Sequence, residues 1–280
     1  MRSKSKCTYI LAPILIAFFV LFGTKSIYAQ EVDDESEFDY NLNSPKGPTN
    51  WGKIKEEWGA CNTGIMQSPI DISKDRILRI ISHPQTTNYR PAHALIKNRG
   101  HDIQIAWLDD AGSISINGTQ YSLRYAHWHS PSEHTYNGKR YALELHLVHK
   151  ATDPAVENKI AVIGVFYKIG EPDPFLSKLR TNITSMARKK DDERSLGVVD
   201  PKEVQICSKK YYRYMGSLTV PPCTQGVIWT IKRKVKTVSM EQVKLLRKAV
   251  HDYAEYNARP LQPLNSRHIY LYGPMSLIEF

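Results

Sequence analysis

Between Tyr89 and Lys168 the chain alternates apolar and polar residues in short runs punctuated by turn formers. Ala94–Asn98, His101–Leu108, Ser113–Ile116 and Gln120–Tyr125 each read as a strand. The breaks between them are Asn-Arg-Gly, Asp-Asp-Ala-Gly and Asn-Gly-Thr. Asn117-Gly118 fits a two-residue hairpin turn, because both residue types accept positive φ. The run between Lys159 and Lys168 is continuously apolar, the pattern of a strand covered on both faces, and Val227–Lys236 is a further strand. Helical periodicity is confined to residues 175–187 and 240–253. In the second, Leu246, Ala249, Val250 and Tyr253 recur at helical spacing, with Val243 one turn earlier. Many strands and few helices predict a mainly β (α+β) fold: a single domain with a large, mostly antiparallel central sheet and peripheral helices.

Five of the ten histidines fall between His127 and His149. On a strand, His127 and His129 point to one face and Trp128 to the other. The run from Tyr141 to His149 alternates as well: Ala142, Glu144, His146 and Val148 share one face, and Leu143, Leu145 and Leu147 the opposite one. Asn137-Gly138 turns the chain between the two runs. Pairing them as a hairpin lets His127, His129 and His146 converge. Three imidazoles with an open fourth position suit a catalytic Zn²⁺, whereas structural zinc sites fill all four positions and favour cysteine. Glu144 lies two residues before His146 on the same face. A buried carboxylate is costly unless paired, and a metal-ligating histidine needs such a partner for its second N–H. His149 lies on the apolar parity and His134 falls near a turn, both readable as structural histidines.

The ends of the chain have a different character. Residues 1–29 carry Arg2, Lys4 and Lys6, then an apolar run from Tyr9 to Phe22 containing Pro13, then small residues up to Ala29. This is the layout of a cleaved signal peptide, and the run is shorter than the ~20 residues of a membrane span. No stable membrane anchor is expected after cleavage. Residues 30–37 form an acidic tail and 273–280 a C-terminal tail around a domain at 38–272. The formal charge is +10; losing four basic and no acidic residues with 1–29 leaves 34 basic against 28 acidic, or +6. Lys232, Lys234 and Lys236 share one parity, as a solvent face would, and nothing resembles the basic-aromatic surface of a nucleic-acid binder. Cys61, Cys207 and Cys223 remain after cleavage, an odd number that allows one bridge and leaves one thiol. Asn117 and Asn182 head glycosylation sequons, which matter only on the secretory path.

Several long motifs occur in a fixed order: Trp51-Gly52, Gln67-Ser-Pro-Ile-Asp-Ile72, His127-Trp-His-Ser-Pro-Ser-Glu-His134, Glu144-Leu-His-Leu-Val-His149, Gly216-Ser-Leu-Thr-Val-Pro-Pro222 and Asn257-Ala-Arg-Pro-Leu-Gln-Pro263. In these the chain resembles the α-class carbonic anhydrases, most closely the secretory plant branch. The resemblance implies a zinc site at the base of a cavity and reversible hydration of carbon dioxide to bicarbonate and a proton by zinc-bound hydroxide. His127, His129 and His146 match the zinc ligands. Thr219 matches the residue whose hydroxyl orients the attacking oxygen, and Glu133 the carboxylate that accepts the threonine proton. His101 matches the proton shuttle. Val148, Val162, Leu218, Val220 and Trp229, with Thr219, match the positions where carbon dioxide rests. Glu144 matches the partner of His146, and Asn257 offers a backbone carbonyl to another ligand. Cys61 and Cys223 match an extracellular disulfide, which leaves Cys207 as the thiol.

Departures from the family pattern are Tyr125 where glutamine is common, Val220 where a hydroxyl residue is frequent, and Gln104 where asparagine is common. The resemblance also implies an extracellular or apoplastic location, or a chloroplast one reached through the secretory route. Some plant relatives of this kind serve as storage or nectar proteins with weakened activity.

Overall fold

The computed structural model describes residues 37–81, 85, 87–206, 208–251 and 253–274. The expected signal peptide, all of the acidic tail but Glu37, Cys207 and residues 275–280 lie outside them. In chain order the strands are β1 (Asp71–Ile72), β2 (Ile77–Ile81), β3 (Thr87–Tyr89), β4 (Ala92–Asn98), β5 (Ile103–Trp107), β6 (Gly112–Ile116), β7 (Thr119–His129) and β8 (Thr135–Tyr136). They continue as β9 (Lys139–Arg140), β10 (Leu143–Ala151), β11 (Ile160–Ile169), β12 (Glu193–Val199), β13 (Tyr211–Ser217), β14 (Gln225–Val238) and β15 (Ile269–Gly273). The helices are α1 (Trp51–Ile54), α2 (Ala60–Thr63), α3 (Pro174–Ser185) and α4 (Met240–Ala249).

Twelve strands make one sheet along the path β12-β4-β5-β7-β10-β11-β14-β13-β15-β2, with β6 beside β7 and β3 beside β6. Neighbours are mostly antiparallel, but β11–β14 and β15–β2 run parallel, so the sheet is mixed. β1, β8 and β9 form a small separate sheet. Asn117 and Gly118 join β6 to β7 as expected; Asn137 and Gly138, expected to turn the chain directly between the two histidine strands, instead join the short β8 and β9 that lie between them, and all four residues are at positive φ.

The two faces of the sheet follow the parity of the sequence. Leu143, Leu145 and Leu147 pack with Trp128, Ala126, α3 and α4 in one apolar cluster. Val148, Val162, Phe166, Tyr214, Leu218 and Trp229 pack on the opposite, histidine-bearing face. Burial on both faces explains the uninterrupted apolar run of β11.

α3 starts where Asp173 accepts from Leu176 N at 3.0 Å and Pro174 occupies the first turn. α4 starts with a capping box between Ser239 and Gln242. It stops at Ala249, short of the helix expected to reach Tyr253. The Ala249 carbonyl accepts from Arg188 N at 2.8 Å and Asn98 Nδ2 at 2.7 Å, partners from other elements that take the place of the next helical turn. Tyr253 is 64% exposed at φ 66°, off the apolar stripe. A second correction concerns Lys232 and Lys236, expected on a solvent face. Lys232 is buried, with Nζ 3.0 Å from Gln85 Oε1 and over the Tyr211 ring, and Lys236 Nζ lies 2.7 Å from Asp173 Oδ2. Both extend their aliphatic stems along apolar surface and bring their amines to polar partners.

Candidate metal centre

β7 and β10 pair antiparallel, with His127 opposite His146 and His129 opposite Glu144. The alternation of β7 puts both of its histidines on the face that β10 gives to Glu144 and His146. The three rings are buried and come within 4.7–5.2 Å of one another, centroid to centroid.

Each ring has one nitrogen turned towards the other two histidines, and in two rings the second nitrogen is committed elsewhere. His129 Nδ1 donates to the Asn257 carbonyl at 2.6 Å, leaving Nε2 towards the centre. His146 Nε2 donates to Glu144 Oε1 at 3.0 Å, leaving Nδ1. His127 Nε2 lies 3.0 Å from His129 Nε2, and its Nδ1 has no hydrogen-bond partner among the described residues. The Tyr125 ring is tilted over His127, centroid to centroid at 5.8 Å.

The donor set passes the test for a divalent transition metal. Three imidazole nitrogens gather within 4.8 Å, and among the described residues no fourth His, Cys, Asp or Glu completes the group, which leaves one position open. Burial, then the neighbouring His129, Arg99 and His146, hold His127 well below the usual histidine pKa. Burial also lowers His146, against the opposing pull of Glu144. Neutral rings are the ligating form.

Glu144 organises the surroundings. Its Oε2 accepts from the backbone N–H groups of Glu133 and His134, both at 2.9 Å. Its Oε1 accepts from His134 Nδ1 at 2.8 Å and from His146 Nε2. Burial pushes this carboxyl up, but the charges and hydrogen bonds of His134 and His146 outweigh it, so its pKa lies well below the ordinary range. Gly164, opposite His146 on β11, makes room for it: a Cβ there would lie 3.0 Å from Glu144 Oε1 and 2.6 Å from Ile231 Cδ1.

Beside the histidines runs an apolar row across the sheet. Val148 pairs with Val162, Val162 with Trp229, and Trp229 with Tyr214. Leu218 joins the same cluster. Trp229 Nε1 donates to the Ser217 carbonyl at 2.9 Å, which places the ring next to the segment carrying Thr219.

A large mixed sheet around a buried, metal-fitting trio of histidines, flanked by an apolar wall, is the class of protein these features define. The chain belongs to the eukaryotic-type carbonic anhydrase family, whose pattern it matches over residues 46–273. It is 51% identical over 259 residues to carbonic anhydrase Nec1 of Nesocodon mauritianus, covering 92% of this chain and 93% of that one. It is 48% identical over 275 residues to alpha carbonic anhydrase 7 of Arabidopsis thaliana, covering 98% of each. Dioscorin complexed with ascorbate is similar in structure, with TM-score 0.80 and 43% identity, covering 85% of this chain and 98% of that one.

The structure departs from the expected arrangement at three residues. The Thr219–Glu133 hydrogen bond is not formed. Glu133 Oε1 accepts from Arg259 N at 3.0 Å, while Oε2, without a hydrogen-bond partner among the described residues, lies 3.6 Å from His129 Nε2. His101, expected in an open turn ahead of a strand, is buried, with its ring 4.8 Å from Phe38 and 5.7 Å from Tyr40. The aromatic residues that open the domain cover it. Val220 belongs not with Val148, Val162, Leu218 and Trp229 but with Phe38, Tyr40, Trp51 and the Cys61–Cys223 disulfide. The turn that follows Thr219 sends it there, with Cys223 N donating to the Val220 carbonyl.

Sequence reasoning assigned His134 no functional partner. Its ring bridges Glu144 and the Tyr214 hydroxyl, which lies 2.6 Å from Nε2, and that hydroxyl is 2.7 Å from Ser68 Oγ. Arg259 likewise has no role legible from its sequence position. It is buried, binding Glu133 through its backbone and Gln67 Oε1, the Ser68 carbonyl and the Cys61 carbonyl through its guanidinium. The available signal was an arginine inside the motif that supplies Asn257.

Proposed function

We propose that the protein is a zinc enzyme that reversibly hydrates carbon dioxide to bicarbonate and a proton. The observation that carries this reading is the set of three converging imidazole nitrogens with no fourth ligand in the group. Zinc bound there supplies Lewis-acid activation of water at neutral pH.

The residues of the chain divide the remaining work. Glu144 and the Asn257 carbonyl fix the tautomers of His146 and His129 with a lone pair facing inward. Val148, Val162, Leu218 and Trp229 form an apolar surface suited to an uncharged, linear substrate. Thr219, buried at the edge of that surface, orients the attacking oxygen once its hydroxyl proton is directed to Glu133 Oε2, the acceptor left without a partner. His101 accepts the product proton and hands it to solvent, its ring moving out past Tyr40.

Entry into the secretory path, with loss of residues 1–29, belongs to the same reading. The Cys61–Cys223 bridge supports it, since disulfides persist in oxidising compartments. Asn117, exposed in the β6–β7 turn, is a better glycan acceptor than Asn182, half-buried in α3.

The test is zinc content together with carbon dioxide hydration by the mature protein. One zinc per chain and activity that both disappear in His129→Ala are expected. Stoichiometric zinc and full activity in that variant refute the site. Zinc without hydration leaves instead a storage or nectar-type relative. For His101→Ala, kcat in weak buffer is expected to fall about tenfold with kcat/KM nearly unchanged and to recover with added imidazole; an unchanged kcat removes His101 from the proton path.

A further inference from the structure

The transverse row that carries His127, His146 and Gly164 continues across the sheet. Gly164 pairs with Ile231, Ile231 with Tyr212, Tyr212 with Leu271, and Leu271 with Arg79. At its far end, between the large sheet and β8, lies a cleft of about 230 Å³. Lys74, Arg79, Lys210 and Arg233 line it, with Tyr136 and Tyr212 at the side. Lys210 and Arg233 are brought side by side by the ladder, Arg233 N donating to the Lys210 carbonyl at 3.1 Å.

No carboxylate lines this cleft, and none of the four cations forms an ion pair among the described residues. Elsewhere on the surface, cations such as Lys55, Arg90 and Lys178 have acidic partners. Four like charges converging on a concavity raise the local potential and draw in an anion. An adjoining cavity of about 120 Å³ shares Tyr136, Tyr212 and Arg233 and is otherwise lined by Tyr141, Phe166, Val235 and Lys232. There the Tyr141 and Phe166 rings stack at 4.6 Å and 20°, and the Tyr136 and Tyr212 rings lie 5.7 Å apart. A cationic mouth thus opens beside an aromatic wall.

We propose that this double cleft binds an aromatic carboxylate. The carboxylate lies among Arg79, Lys210 and Arg233, where a guanidinium can take both of its oxygens. The ring lies against Tyr136, Tyr212 and the Tyr141–Phe166 stack, contacts that aromatic pairs favour in offset or edge-on geometry. A small inorganic anion uses only the cations and leaves the aromatic wall in water. The proposal goes beyond the reading of the metal centre and does not depend on it.

The test is calorimetric titration of the mature full-length chain with 4-hydroxycinnamate. Saturable binding that survives His129→Ala is expected, weakened about tenfold or more in the double variant Arg79→Gln/Arg233→Gln and weakened by added salt. Both arginines are exposed, and an unchanged melting temperature shows that the double variant is folded. Inorganic phosphate, which lacks the ring, and 4-hydroxybenzyl alcohol, which lacks the charge, are expected to bind at least about tenfold more weakly. Absence of saturable binding overturns the proposal. So does binding lost in His129→Ala but kept in the double variant, which assigns the probe to the metal centre. Phosphate binding as tightly as the probe refutes the aromatic part.

Discussion

Replacing Glu144 by glutamine changes one atom of a buried carboxylate that accepts four hydrogen bonds. The new amide nitrogen can take either oxygen's place, and neither is tolerated. Set against the backbone N–H groups of Glu133 and His134, it opposes donors with donors. Set against His134 Nδ1 and His146 Nε2, it makes both rings accept. The His146 proton then moves to Nδ1, the atom that faces His127 and His129, and the ring stops being a ligand. Against the backbone donors the amide forfeits two hydrogen bonds to a charged group, at about 1.5–3 kcal/mol each; against the rings it keeps two, reversed and neutral, so the loss is at most about 3–6 kcal/mol. For a domain of this size that is a fall in melting temperature of roughly 10–20 °C. Zinc affinity is expected to fall about 10–100-fold. Thermal melts of metal-free and zinc-loaded protein, with competition against a chromophoric chelator, measure the two effects. A variant melting within about 3 °C of the parent and binding zinc within about threefold of it refutes the shared-acceptor reading of Glu144.

Three further outcomes follow from other parts of the structure. His149 is buried, Nδ1 donating to the Ala161 carbonyl and Nε2 accepting from the Tyr89 hydroxyl, and burial lowers its pKa to about 3. The unfolded chain, with a pKa near 6.5, binds more protons below that pH. Stability present above pH 6.5 is therefore lost as pH falls towards 3, by about 2 kcal/mol at pH 5. Denaturant unfolding of His149→Gln, whose amide can replace both hydrogen bonds, should show a correspondingly shallower pH dependence, and an identical one contradicts the assignment. Gly164→Ala should weaken zinc binding severalfold by pressing on Glu144. Ile231→Val, which removes the nearer of the two clashing atoms, should partly restore it in a chelator competition; undiminished affinity in Gly164→Ala rejects the close approach. Reduction of Cys61–Cys223, which spans 162 residues, should lower stability by up to about 4–5 kcal/mol without releasing zinc. Zinc release on reduction, followed by metal analysis, argues against this separation of bridge and metal.

The sequence made the local features of the fold visible and left the distant ones hidden. Asn117-Gly118 and Asn137-Gly138 announce their turns because only positive φ lets a short hairpin follow the strand twist. The parity of His127, His129, Glu144 and His146 survives into the structure because the two strands pair in a register that neither can shift without exposing Leu143, Leu145 and Leu147. The strands Ile77–Ile81, Glu193–Val199, Tyr211–Ser217 and Ile269–Gly273 carry no such local signal. β2, β12 and β15 pair with strands far away in sequence, the exposed β12 carries little apolar alternation, and β13, although it pairs with the nearby β14, reads Tyr-Tyr-Arg-Tyr-Met without clean alternation. Tyr253 fits a helical stripe that tertiary partners of Ala249 cut short. His101 fits an exposed turn until Phe38 and Tyr40, more than sixty positions away, close over it. His134 looked structural because its two partners, Glu144 and Tyr214, are joined only by the folded sheet.

The parallel contact between β11 and β14 divides the centre by order of assembly. The three ligating nitrogens and every donor to Glu144 come from one continuous stretch, residues 127–146, on neighbouring strands. Leu218, Thr219 and Trp229 arrive from beyond that contact, after α3, β12 and β13 have been laid down. A nascent chain thus makes its three histidines, with Val148 and Val162, well before Leu218, Thr219 and Trp229 complete the apolar surface beside them. Substitutions within residues 127–146 are therefore expected to remove metal binding and turnover together, whereas substitutions at Leu218, Thr219 or Trp229 are expected to reduce turnover and leave the metal in place.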